Sequence, residues 1–176
     1  MVIRKTTVAD LDSVVRIYEE AREFMCENGN PTQWRKGTPE RELIECDIRE
    51  EKSYVCVDSK KAVENNENEK IVGVFCFSTE HEPVYDTLDG NWLDGDDCDD
   101  NNKVCGVIHR LAKPRNAPKG VGGFCINWCF EQCGNIKIDT HDNNAPMLKL
   151  LGNLGFVYCG IVSYPDGGKR IAFQKK

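Results

Sequence analysis

The feature that most constrains this chain is an apolar, β-branched run from Val104 to Ala112, followed by a stretch punctuated by Pro114 and Pro118 and by glycines at 120, 122 and 123. An apolar pattern resumes at Phe124, Cys125, Trp128 and Cys129 with helical spacing. The segment reads as strand, turn, helix. Glycines at the turn leave the backbone bare where a ligand could approach, and the first N–H groups of a helix point outward toward an anion. Glycine also occurs in such turns for steric reasons alone. The run is not a P-loop, because no Lys-Ser or Lys-Thr pair closes it, and Gly120-Val-Gly-Gly123 lacks the dinucleotide spacing.

The flanking sequence supplies an alternation of elements. Val2 to Lys5 predicts a short strand, and Thr7 with Asp10 three residues on resembles a capped helix start. Leu11, Val14, Val15, Tyr18, Ala21 and Met25 then form one apolar face ending near Gly29. Thr38-Pro39 opens a second helix with Glu40 and Glu42 in its first turn and Leu43, Ile44 and Ile48 on its buried side. Tyr54 to Val57 and Ile71 to Phe77 read as antiparallel strands joined by a polar loop over 58–70. Asn135 to Thr140 is a further strand, Asp142 or Asn143 caps a short helix carrying Pro146, and two last strands flank the turn Pro165-Asp-Gly-Gly168.

From Glu80 to Asn102 there is no lysine or arginine, while nine acidic residues occur, among them Asp94, Asp96, Asp97, Asp99 and Asp100. Tyr85, Leu88 and Trp92 are large apolar side chains that a purely solvated loop does not require, so the stretch is expected to be partly ordered with a mobile tip over 94–100. An acidic rim draws a cationic amine; a solvated acidic loop without a ligand is the plainer reading. The spacing does not fit an EF-hand.

At 176 residues with 40% apolar side chains, the size prior is one domain over 1–176 with one sizeable core. A formal net charge of −6 argues against a nucleic-acid surface or an anionic membrane, since both require a basic patch. No apolar signal core follows Met1 and no run is long enough to span a bilayer, so the expected location is cytoplasmic, with the ten cysteines kept as thiols. Cys125, Cys129 and Cys133 share one helical face. Zinc sites favour turns with Cys-x-x-Cys pairs, so a buried stripe is expected and no metal.

Two motifs in order resemble those of the GNAT superfamily of N-acetyltransferases. Leu111-Ala-Lys113 followed by Lys119-Gly-Val-Gly122 resembles its acetyl-CoA motif, with Ala117 where the family has Arg or Gln. Asn144-Ala-Pro-Met-Leu-Lys-Leu-Leu-Gly-Asn-Leu-Gly-Phe156 resembles its second signature, with Met147 for Ala and Leu151 for Tyr. The resemblance covers essentially the whole chain. It implies an α/β GNAT fold: a mixed, mostly antiparallel sheet of about six to seven strands flanked by about four helices. It also implies acetyl-CoA as co-substrate and direct acetyl transfer to the amine of a small, cationic acceptor, or an acyl-CoA-binding protein of the same fold that has lost catalysis.

By the same resemblance, backbone N–H groups at Leu111, Ala112 and Lys113 would hold the pantetheine arm and polarise the thioester. Lys119, Gly120, Val121, Gly122 and Gly123 would hold the diphosphate, and Asn144 would bond the pantetheine arm. His109 and His141 are candidate bases, with Glu80 and Glu82 as alternatives. Tyr158 or Tyr164 could protonate the leaving thiolate in place of Leu151. Trp34, Tyr85 and Trp92 are candidate walls of the acceptor pocket, although an aromatic packed on the protein's own core explains Trp34 equally well. The oligomeric state is open, a homodimer included.

Overall fold

The computed structural model describes residues 1–58, 69–93 and 104–176, which form two compact units. The first contains Met1–Phe77 and Arg110–Trp128, the second Ser78–His109 and Cys129–Lys176. Most of the polar loop expected over 58–70 and the acidic tip at 94–100 lie outside the described residues.

In the first unit, β1 (Val2–Lys5), β2 (Ser53–Asp58) and β3 (Lys70–Ser78) follow one another in antiparallel order, with Ile3 opposite Cys56 and Val55 opposite Val74. Helices α1 (Leu11–Glu27) and α2 (Arg41–Arg49) bury their apolar stripes in a core of Leu11, Val14, Ile17, Tyr18, Ile44, Val55, Val57, Val74 and Ala112. A separate aromatic group, Tyr54, Phe75, Phe77 and Trp128, has ring centroids 5.1 to 6.3 Å apart. Both expected helices exist, yet the buried side of α2 differs from expectation. Leu43 is 43% exposed, and the stripe is Ile44, Asp47 and Ile48. Helix α2 also begins two residues after Pro39, with Glu40 at its N-cap.

The entry to α1 follows the sequence. Thr7 donates its N–H and its hydroxyl to Asp10 Oδ2, each at 2.8 Å, and the Arg4 guanidinium reaches both Asp10 oxygens at 2.7 and 3.0 Å.

In the second unit, β4 (Asp89–Gly90), the first part of β5 (Gly106–Ala112), β6 (Ile136–Thr140), β7 (Val157–Ser163) and β8 (Lys169–Lys175) stand in the order β5-β6-β8-β7-β4. All the pairings are antiparallel except β5 with β6, which run parallel and pair at Gly106/Ile136 and Val107/Lys137. The two-residue strand β4 is the one the sequence reading lacks. It depends on glycine at both Gly90 and Gly160, where a Cβ would overlap the opposing backbone. The fold is thus mixed and mostly antiparallel, with eight strands and four α-helices among the described residues: α1, α2, α3 (Val121–Cys133) and α4 (Ala145–Asn153).

The stretch after Glu80 is ordered as expected: Tyr85 is buried with Val107, Val162 and Ala172, and Leu88 and Trp92 pack against them. The end of its described part is tied down where Leu93 N–H donates to Gln174 Oε1 at 2.6 Å, while Gln174 Nε2 donates to Asn135 Oδ1 at 2.8 Å. Among the described residues no helix is long and apolar enough to cross a membrane.

The Arg4–Asp10 pair yields a signed prediction. The guanidinium hydrogen bond holds the Asp10 carboxyl down at about 2. A depressed folded value gives stability that is present above the unfolded value of about 4 and lost as pH falls toward 2. Asp10→Asn is therefore expected to cost about 1 kcal/mol in urea unfolding at pH 7, with the difference shrinking as the pH falls below 4.

Candidate active site

In the first unit, α3 approaches β3 closely because Gly73 has no side chain. A Cβ there would lie 2.8 Å from Val121 Cγ1 and 3.6 Å from Cys125 Sγ. Gly120 precedes the helix at φ 88°, and its carbonyl accepts from Phe124 N–H at 2.9 Å. Glycine is required by that backbone angle, and a Cβ there would meet nothing within 4 Å. The helix begins at Val121, so Val121, Gly122 and Gly123 supply the N–H groups that have no partner within a helix. With exposed Lys119 beside them, these residues fit a diphosphate.

Ala117 N–H donates to Pro114 O at 3.0 Å, so a backbone turn occupies the place where the family carries Arg or Gln. Arg115 is drawn back onto α1: its N–H donates to Glu20 at 3.0 Å and its guanidinium to Glu27 at 2.7 and 2.9 Å. Leu111 is half-buried, Ala112 buried and Lys113 exposed. Just before them Arg110 has φ 54°, a left-handed backbone that costs a non-glycine residue roughly 1–3 kcal/mol. Its Nη2 donates to both Asp47 oxygens at 2.8 Å, and Cys76 Sγ donates to the same carboxylate at 3.2 Å. Trp34 packs edge-on against Tyr18 at 5.5 Å and joins the core, which favours the packing role weighed for it.

In the second unit, His109 Nε2 lies 2.7 Å from Glu82 Oε2. Glu82 is the N-cap of the 3₁₀ turn Pro83–Thr87, which also carries Tyr85, whose ring centroid is 6.3 Å from that of His109. Tyr85 and Tyr164 both donate their hydroxyls to Asp139 Oδ2 at 3.0 Å. Burial pushes the Asp139 carboxyl above the usual aspartate range, with nearby His109 and the two phenols opposing it. Burial pushes both phenols up as well, so they stay protonated and donate. Trp92 lies 5.1 Å from Tyr85, gives its Nε1–H to Tyr85 O at 3.3 Å, and carries the Lys137 ammonium over its ring at 4.4 Å.

Of the predicted residues in this unit, His109, Tyr85 and Trp92 are therefore brought together. Glu80 is exposed and its N–H donates to Ser78 Oγ, so Glu82 is the carboxylate that meets the imidazole. His141 Nδ1 lies 2.6 Å from Asp142 Oδ1 and accepts from Asn143 N–H at 3.2 Å. Asn144, rather than Asp142 or Asn143, caps α4, its Oδ1 accepting from Met147 N–H at 3.3 Å. Leu151 is fully buried, and Tyr158 is 57% exposed against Phe173.

No family model matches the sequence, and no curated protein matches it significantly. Solved structures do match. A GNAT-family acetyltransferase from Streptococcus agalactiae is similar at a TM-score of 0.81 and 26% identity, covering 99% of this chain and 94% of its own. The ribosomal-protein-alanine N-acetyltransferase of Brucella melitensis has a TM-score of 0.63 at 17% identity, covering 99% of each chain. A Salmonella typhimurium protein solved with its cofactor acetyl-CoA has a TM-score of 0.61 at 15% identity, covering 100% of this chain and 93% of its own. The chain has the GNAT fold, as its two motifs implied.

Asp139, Asp47 and Arg110 escaped the sequence reading. The signal for Asp139 was present: on β6, Ile136, Ile138 and Thr140 alternate with Lys137 and Asp139, so the polar pair shares one face. Asp139→Ala should strand two phenol donors and cost roughly 2–4 kcal/mol. Asp139→Asn keeps acceptors and should stay within about 1 kcal/mol of the parent at pH 7. Because the folded carboxyl titrates above its unfolded value, the parent loses stability as pH rises through that window, and asparagine does not. Chemical unfolding should therefore favour Asp139→Asn more at pH 7 than at pH 4.

Proposed function

We propose that the chain acts as a single acetyltransferase domain that moves the acetyl group of acetyl-CoA onto the amine of a small cationic acceptor. The observation that carries this reading is the 2.7 Å His109–Glu82 pair beside Tyr85. An ammonium must lose a proton before it can attack a carbonyl. With Glu82 accepting from Nε2–H, the tautomer is set and Nδ1 is the nitrogen able to take that proton. Acetyl-CoA, when bound, supplies the thioester, whose C–S bond breaks as the amide bond forms.

The remaining tasks fall to this chain's backbone and side chains. The N–H groups of Leu111, Ala112 and Lys113 would stabilise the charge that builds on the carbonyl oxygen. Lys119, Gly120, Val121, Gly122 and Gly123 would hold the diphosphate, and Asn144, whose Oδ1 already caps α4, would reach the pantetheine arm through its amide group. A thiol pKa of about 8.5 lets the thiolate depart without an acid, which suits a chain whose signature tyrosine is the fully buried Leu151. Glu82 and Asp139 favour a cationic acceptor. Trp92 serves as a wall rather than a cation platform, because Lys137 already covers its ring.

The second reading, an acyl-CoA-binding protein without turnover, is favoured by Ala117, whose place in the turn offers no side-chain contact to a diphosphate. Coenzyme A release with a panel of amines, set beside calorimetry of acetyl-CoA, separates the two. His109→Ala should lower kcat roughly 10²–10⁴-fold and abolish the rising limb of the pH–rate profile, while acetyl-CoA affinity stays unchanged. Full activity in that variant would remove His109 as the base, and tight binding with no turnover on any amine would remove the enzyme.

A further inference from the structure

Arg110 occupies a left-handed backbone conformation inside β5, where no glycine relieves it. An arginine does not hold such a conformation by its own preference, so its surroundings must impose it. Those surroundings converge on one carboxylate. Asp47 is 7% exposed, projects from the buried stripe of α2, and takes the Arg110 Nη2 on both its oxygens at 2.8 Å. Cys76 on β3 adds a third donor at 3.2 Å. Burial keeps the Cys76 thiol and the Tyr18 phenol protonated, so the charge that answers the guanidinium is that of Asp47. The buried Arg110 Nε has no hydrogen-bond partner among the described residues. An ion pair of this kind is a poor source of stability compared with apolar packing, and it bears on the residue just before Leu111, Ala112 and Lys113.

We propose that Asp47 is a positioning residue for acetyl transfer, acting through Arg110 to hold the kink that aims the Leu111–Lys113 amides at the thioester oxygen. It rests on the reading of those amides given above. Asp47 touches neither substrate; it sets the direction of a backbone segment that does. Misaligned oxyanion donors lose transition-state stabilisation more than ground-state affinity.

Asp47→Asn should lower kcat roughly 10–100-fold while the acetyl-CoA dissociation constant changes less than about threefold. The limbs of the pH–rate profile should stay where they are, because His109 keeps its bond to Glu82. A glycine at 110 adopts the left-handed angle without a side-chain lock. The double variant Asp47→Asn/Arg110→Gly should therefore recover to within about threefold of the parent, while Asp47→Asn/Arg110→Ala does not. Thermal unfolding of each variant confirms that it is folded.

A folded Asp47→Asn protein with parental kcat would overturn the proposal, as would a folded glycine double variant no faster than Asp47→Asn. A readout independent of turnover separates this from the underlying reading. In the parent and the glycine double variant, titration with acetyl-CoA should move the amide resonances of Leu111 and Ala112, and in Asp47→Asn those shifts should be lost. If the coenzyme binds the parent and leaves these amides unmoved, the reading of the amides fails. If they move equally in parent and Asp47→Asn, the positioning role of Asp47 fails and the reading stands.

Discussion

A parallel ladder that is bonded over two residue pairs is the constraint from which the second unit takes its form. Strands β5 and β6 are joined at Gly106/Ile136 and Val107/Lys137. Two residues beyond those pairs come His109 on one strand and Asp139 on the other, each turned to partners outside the ladder. The 3₁₀ turn at Pro83–Thr87 answers both, with Glu82 for the imidazole and the Tyr85 hydroxyl for the carboxyl. One short segment thus supplies a charge and a neutral donor to the two strands. A regular ladder would have used those positions for cross-strand packing.

The two inward-facing aspartates show two solutions to one electrostatic problem, that of keeping a carboxyl away from bulk water. Asp47 is matched by a guanidinium at 2.8 Å, a partner of opposite charge. Asp139 is matched by two phenols, which donate hydrogen bonds without a countercharge, and its carboxyl is held above the ordinary range. The first arrangement fixes a backbone against its own preference. The second leaves a buried carboxyl answered by neutral donors, while the nearby imidazole has its own partner in Glu82.

Much of the architecture was legible because it rests on local rules. The Thr7–Asp10 cap, the apolar face of α1, the glycine before α3 and the hairpin at Pro165–Gly168 are each written within a few residues, and each forms where expected. Tyr85, Leu88 and Trp92 were legible too, since three large apolar groups in an acidic run have to pack somewhere. What local rules do not carry is tertiary pairing. Asp47 reads as part of the polar side of α2 until Arg110, 63 residues away, is seen to meet it, and an arginine gives no hint of a positive φ. Glu80 and Glu82 are equivalent on paper. Only the 3₁₀ turn, which makes Glu82 its cap, decides which one faces His109.

The meeting of Gly90 with Gly160 has a wider bearing. Each backbone fills the space in which the other residue would carry its first side-chain atom, so neither position can be altered alone without prising β4 from β7. The two sites are therefore coupled across 70 residues of chain without a hydrogen-bonding or charged side chain to signal it. In a library of variants they would tolerate the same substitutions badly and for the same reason, a mutual dependence set wholly by the volume of a missing methyl group.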